Sequence, residues 1–240
     1  MMKNDPLVLQ SRILYQSELC IVINKLKGEA CEGAKGKIID LPSALAKILP
    51  EKPELIEAVH RLDVPVTGCA LFALTSSALE YLNAAFASQQ AQGVEKRYWA
   101  IVEKPSASLP SNGEIVHWIE TKSGINKSFA YNEEGYGRKK ASLKYRITGE
   151  GKNYLFVEIQ LLSGRHHQIR AQLAAIGLKI KGDLKYGAKR SEKDGGIRLH
   201  ARSLAFPNPF KNGEKISVTA QPPQMDALWE AFIQCPSSSL

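Results

Sequence analysis

The sequence predicts an α+β fold built on a largely antiparallel or mixed sheet. Strand-length apolar runs outnumber helical periods, and they adjoin one another through short turns instead of alternating one for one with helices. No internal repeat or long low-complexity linker divides the 240 residues, so a single domain, 1–240 with a core of about 13–234, is expected.

ILYQSELCIVIN (13–24) reads as a short strand pair. Asp40 before Leu-Pro-Ser marks a helix start, with Leu45, Ile48 and Leu49 on one face. CALFALT (69–75) is a continuous apolar run of strand length and is expected to be central. It leads into a helix through Ser77-Ala-Leu-Glu80, which has capping-box spacing, and Leu79, Leu82 and Phe86 then recur at helical intervals. KRYWAIVE (96–103) reads as a strand. SLKYRIT (142–148) and YLFVEIQLL (154–162) read as a hairpin across Gly149-Glu-Gly-Lys-Asn. The helix after Arg165 carries Ile169, Leu173 and Ile176 on one face and stops at Gly177. RLHARSLAF (198–206) and KISVTA (215–220) are late strands. Met225, Leu228, Trp229 and Phe232 space out a last helix, and PSSSL is expected to fray. KPSASLPSN (104–112) and GAKRSEKDGG (187–196) read as exposed loops.

Hydrophobic residues make up 44%, which fits a soluble globular chain and argues against disorder. No run of eighteen apolar residues appears, so no membrane-spanning helix is expected. The start, MMKNDPLVLQ, lacks an apolar signal core, and a cytoplasmic location follows as the default. Cys20, Cys31, Cys69 and Cys235 match no paired metal spacing and read as reduced, mostly structural thiols. Lys plus Arg is 32 against 24 for Asp plus Glu, a net +8 that suits a polyanionic partner such as RNA, or simply solubility.

Three clusters could carry chemistry. The first is His60-Arg61-Leu62-Asp63 running through Val-Pro-Val-Thr to Gly68. A carboxylate in a Pro/Gly turn before a buried strand is rigidly mounted. Desolvation disfavours its charged form and a guanidinium restores it, so a working nucleophile or base needs an arginine partner. On this cluster alone, a turn aspartate capping its own backbone is the simpler reading. The second cluster is Leu161-Leu-Ser-Gly-Arg165-His166-His167-Gln168-Ile169-Arg170, where a strand gives way to a helix. Arg165 stands where its fork can reach a carboxylate or phosphate. Adjacent His166 and His167 cannot both face one metal from one helix, and they are read as packing residues without a role in proton transfer. The third is Lys96-Arg97-Tyr98-Trp99-Ala100, where cations and aromatics interleave on a strand. That suits phosphates plus base stacking, or plain cross-strand packing, and alternation sends one of the two aromatics to the core. No phosphate-loop or dinucleotide glycine motif is present, which argues against ATPases and Rossmann dehydrogenases.

Taken together, six landmarks resemble the RluA-type family of RNA pseudouridine synthases, from about Ile13 to Ala220. They are ILYQSELCIVINKLKG (13–28), VHRLDVPVTGCALFALT (59–75), KRYWAIVE (96–103), LLSGRHHQIRAQLAAIG (161–177), KIKGDLKYG (179–187) and LHARSLAF (199–206). The resemblance implies a single bipartite, mostly antiparallel sheet flanked by helices, with an active-site cleft across its middle. It implies that Asp63 is the catalytic aspartate, that Arg165 pairs with it, and that Arg61 helps open the RNA. Tyr98 would stack on the target base and assist proton removal from C5. The chain departs from the family pattern at Lys25-Leu26, where Lys-Pro is usual, and at Val66-Thr67-Gly68, where Thr-Ser-Gly is common. Only about a dozen residues precede Ile13, too few for the S4 RNA-binding module that many relatives carry.

The implied reaction breaks the uridine C1′–N1 bond, turns the base and forms C1′–C5. It requires no cofactor and no metal. The expected partner is a stem-loop of ribosomal or transfer RNA, with neither DNA nor a membrane involved and the protein acting as a monomer. Arg61, Lys96, Arg97, Arg165, Arg170, Lys181 and Lys185 are the expected phosphate contacts. Competing readings are a non-catalytic RNA-binding protein on the same scaffold, a carboxylate-dependent glycosidic hydrolase, which would want a second acid, and a metal-dependent nuclease.

Overall fold

The structure, a computed structural model, describes residues 6–33, 38–49, 53–88, 93–211 and 213–235. The chain forms two compact units, Met1–Glu95 with Ala201–Pro223, and Lys96–His200 with Gln224–Leu240. Each is built on a mostly antiparallel sheet with few helices, the α+β class read from the sequence.

The first unit opens with α1 (Pro6–Gln10), β1 (Ile13–Gln16), β2 (Cys20–Lys25), β3 (Glu29–Ala30), β4 (Ile39–Asp40) and α2 (Leu41–Leu45). It continues through β5 (Glu57–Ala58), β6 (Thr67–Ala73) and α3 (Ser76–Ala87). β1 and β2 are the predicted strand pair, and β2 runs antiparallel to β6. Every residue of β6 is buried, as the unbroken apolar run requires. Asp40 caps α2 by accepting from the Ser43 N–H. That helix ends at Leu45, so Ile48 and Leu49 fall beyond it, half-buried. α3 begins two residues earlier than the capping-box spacing suggests: Thr75 is its N-cap and accepts from the Ala78 N–H. Leu82 is fully buried, while Leu79 and Phe86 pack beside it against Cys69, Leu71 and Ala73.

The second unit holds β7 (Glu95–Glu103), β8 (Asn112–Lys122), β9 (Lys127–Tyr131), β10 (Lys139–Glu150), β11 (Tyr154–Leu161) and α4 (Gln168–Ala175). Its strands lie in the order β7-β11-β10-β8-β9, all antiparallel. The β10–β11 hairpin is the predicted one, extended at both ends. The β8–β9 hairpin escapes the sequence reading for a physical reason. Its inward positions are Ile115, His117 and Ile119, while Val116 and Trp118 point outward, so polarity does not alternate with burial.

β12 (Leu199–Pro207) and β13 (Lys215–Thr219) then pair antiparallel and return most of the late chain to the first unit. α5 (Ala227–Ile233) belongs to the second, packing Trp229 and Phe232 on Trp99, Ile101 and Phe156. Its N-cap is Asp226, which leaves Met225 outside the helix and 45% exposed. PSSSL lies outside the described residues. All four cysteines are free.

Candidate active site

Asp63 sits half-buried in the connection from β5 to β6, with Leu62 and Val66 buried on either side. The backbone folds into a turn closed by the Val66 N–H donating to the Asp63 carbonyl at 2.9 Å. Beneath it lies Lys25, the last residue of β2. Alternation puts this lysine on the same strand face as Ile21 and Ile23, and it is fully buried. Its Nζ donates to the carbonyls of Leu26 (3.0 Å), Asp63 (3.2 Å), Val64 (3.2 Å) and Val66 (2.6 Å). A cation that converges on three carbonyls of one turn fixes that turn's shape. Burial pushes the lysine down from 10.5 to about 8, partly offset by Cys31, Glu29 and Asp63.

Further bonds tie the same turn to the segment after β2. The Gly28 N–H donates to the Val64 carbonyl at 2.8 Å, and the Leu62 N–H approaches Cys31 Sγ at 3.5 Å. Glu29, fully buried, accepts from the Leu26 N–H at 2.7 Å and pairs with Arg12 at 2.9 Å. The Lys25-Leu26 departure therefore lies in the segment that supports Asp63. Gly68 follows at φ +114°, and a Cβ there would stand 2.2 to 2.7 Å from the Ala201 backbone, so only glycine fits. His60 is structural here, accepting from the Leu71 N–H at 3.3 Å and stacking on Phe86. Arg61 is exposed and salt-bridged to Glu32.

The second unit presents Arg165 on an equally fixed loop. Gln168 Oε1 accepts from the Arg165 N–H (3.0 Å) and from the Ser163 hydroxyl (2.7 Å), while its Nε2 donates to the Ser142 carbonyl (3.0 Å). His167 adopts φ +51°, a left-handed conformation uncommon for a side-chain-bearing residue, and its ring lies 3.0 Å from the Tyr186 hydroxyl. His166 Nδ1 is 2.9 Å from the Ser128 hydroxyl and stacks on His167. Both histidines thus hold the turn into α4, in keeping with the packing role read from sequence. Arg165 itself is exposed, its Nε donating to the Lys140 carbonyl at 3.2 Å.

Tyr98 is buried on β7, opposite in pleat to Trp99. Trp99 is the packing aromatic: its ring lies against Phe232, and its Nε1 donates to Glu158 at 3.3 Å. Lys96 is partly buried beside Gly164, and desolvation lowers its pKa. One expected phosphate contact, Arg170, is overturned. Arg170 is 5% exposed and makes a bidentate pair with Asp183 at 2.7 and 2.8 Å, which uses its fork internally. Lys181 is paired with Glu192, which also holds Arg198. The 187–196 loop is accordingly anchored as well as solvated. Lys185 is exposed and donates to the Asn126 carbonyl.

The buried supports are the residues least legible in the sequence. Lys25 carried a signal, an inward position on an apolar strand. Gln168, Ser128, Tyr186 and Asp183 carried none beyond lying in or near recognisable motifs. Among the described residues, no group of three or more His, Cys, Asp or Glu side chains could hold a metal ion. Among them, too, no helix is long and apolar enough to cross a membrane.

Residues 19–175 match the family model described as RNA pseudouridylate synthase. The ribosomal large subunit pseudouridine synthase C of Vibrio parahaemolyticus is 28% identical over 88% of this chain and 66% of its own length. The protein of the same name from Haemophilus influenzae is 30% identical, over 96% and 70%. The chain thus spans about two thirds of the length of these relatives. The solved structure of human RNA pseudouridylate synthase domain containing 4 matches with a TM-score of 0.70 at 24% identity, covering 95% of this chain and 94% of that one, which shows a shared fold.

Proposed function

The chain belongs to the RNA pseudouridylate synthase family, and from that premise we propose that it isomerises uridine to pseudouridine in RNA. The observation that supports this most is the mounting of Asp63, a half-buried carboxylate on a turn whose carbonyls converge on the buried Lys25. Such a support holds the reacting group in one place, which is where much of a catalytic effect originates.

In this reading the target uridine leaves its stack before reaction. Asp63, ionised, acts at the ribose, attacking C1′ or taking the 2′ proton. Attack displaces N1 and leaves an Asp63 ester at C1′, which C5 of the turned uracil then displaces; removal of the 2′ proton expels N1 to give a glycal, which regains that proton at C2′ as C5 joins C1′. In either route the C5 proton passes to solvent and N1 gains one. Arg165 is the proposed partner of Asp63, its planar fork suited to a carboxylate. Tyr98 stacks on the detached base and assists removal of the C5 proton. Arg61 helps open the RNA. The names of the relatives direct the first assays to large-subunit ribosomal RNA. The proposed setting is the cytoplasm and the proposed working form a monomer.

The test is tritium release from RNA labelled at uridine C5, in excess EDTA and without nucleotide. Release with an intact RNA chain and no free uracil is the expected result. A binding protein alone would release nothing. A glycosidic hydrolase would liberate uracil, and a nuclease would cut the chain and stop in EDTA.

A further inference from the structure

The outward face of the second unit's sheet is divided. Register places Trp99, Glu158, Arg146 and Asn112 in one cross-strand row, so Val116 and Trp118 lie on the side that α5 covers at its β7–β11 end. At the β8–β9 end the same face opens to solvent, with Val116 39% exposed. It is nonetheless rich in aromatic residues. Trp118 is paired across the strands with Tyr131 on one side and Lys140 on the other. The Arg138 guanidinium lies 3.6 Å above the Tyr131 ring. Phe129, two residues along β9, has Lys122 and Lys127 within 5.2 and 5.4 Å of its ring centre. Lys144 extends the face along β10, opposite Glu114. On the open part of this face, among the described residues, Lys122, Lys127, Lys140 and Lys144 stand against Glu114 and Glu120, with Arg138, Glu133 and Glu134 in the β9–β10 connection beside them.

We propose that this open face binds a single strand of RNA, stacking bases on Trp118 and on the Arg138 guanidinium plane that covers Tyr131, while the lysines neutralise phosphates. A partly exposed Trp ring and a guanidinium plane on an open sheet offer flat surfaces at the spacing of the pleat, and rings flanked by cations suit a polyanion that carries its own aromatic bases. The inference rests on RNA being the substrate and deepens that reading. It assigns the strand affinity to residues that take no part in the chemistry.

The probe is an oligouridylate of about 16 nucleotides, near the upper site size of single-strand-binding domains. Affinity for the full-length chain is measured by filter binding over a salt series. Lys122→Glu with Lys144→Glu, both at exposed positions, is expected to weaken binding at least about tenfold and to reduce the log–log salt slope by about 1.4, two phosphates at 0.7 each. Trp118→Ala is expected to weaken binding about tenfold with the slope unchanged, because it removes stacking and no charge. Turnover at saturating RNA stays at the wild-type level in both. Wild-type affinity in both variants overturns the proposal, as does failure of the wild-type chain to bind the probe. If the variants lose affinity while even the wild type releases no tritium, the surface stands and the activity reading fails.

Discussion

Replacing Lys25 with Met asks whether the Asp63 turn depends on a buried ammonium. Methionine keeps an unbranched side chain and removes the charge and every N–H. The carbonyl of Asp63 retains the Val66 N–H and that of Val64 retains the Gly28 N–H, so the loss falls mainly on Leu26 and Val66. At about 1–3 kcal/mol for each buried acceptor that loses its donor, this costs roughly 2–6 kcal/mol. Opposing it is relief from burying a cation: the fall from 10.5 to about 8 corresponds to about 3 kcal/mol at neutral pH. The net effect therefore lies between about 1 kcal/mol of stabilisation and about 3 kcal/mol of destabilisation, a drop of at most about 12 °C in Tm. Turnover suffers more, because displacing the catalytic backbone by about 1 Å costs about 10²-fold. The pH dependence has a definite sign. A depressed lysine pKa means the unfolded chain holds the proton more tightly, so the burial penalty is full below about pH 8 and fades as pH rises towards 10.5. Wild type consequently gains stability relative to Lys25→Met across that window. Thermal unfolding at several pH values, beside tritium release at saturating RNA, checks both parts. Near-wild-type turnover in Lys25→Met, or a stability difference that moves the other way with pH, would refute the reasoning.

Arg170→Ala leaves Asp183 as an uncompensated buried charge and is expected to cost about 3–5 kcal/mol, read as a loss of about 6–20 °C in Tm. A shift of only a degree or two would mean that the pair is not buried in solution. Gly68→Ala, which drives a methyl group into the Ala201 backbone, is expected to yield little soluble protein; a soluble variant with normal Tm contradicts the close approach of β6 and β12. Arg165→Lys keeps the charge and loses the planar fork, so turnover falls by about an order of magnitude or more while Tm holds, because the loop is fixed through its backbone and Gln168. Normal turnover would assign the support of Asp63 to another group.

The fold class was legible because its evidence is periodic: buried runs such as Cys69–Thr75 and the paired segments around residues 149–153 announce themselves. The β8–β9 hairpin was not, since His117 faces inward and Trp118 outward, and polarity there reports function or packing instead of burial. Helix ends slipped where two capping residues competed, as with Thr75 and Ser77. Asp63 and Arg165 are marked in the sequence by the six landmarks of the resemblance, since the turn around Asp63 taken alone favours a capping aspartate. Their supports are not, because a buried lysine or glutamine is identified only by the carbonyls around it, and those come from distant segments. Arg170 shows the converse error: a basic residue in a candidate cluster reads as a phosphate contact until its carboxylate partner, thirteen residues on, is seen.

Asp63→Asn isolates the chemistry most directly, since the amide keeps the shape of the side chain and removes its charge, and the turn is held through its backbone carbonyl. Tritium release from C5-labelled RNA is measured at saturating substrate, together with RNA affinity and Tm. The expected result is a loss of turnover of at least about 10²-fold, with affinity and Tm near wild type. Turnover within about tenfold of wild type contradicts the assignment of Asp63 as the reacting carboxylate.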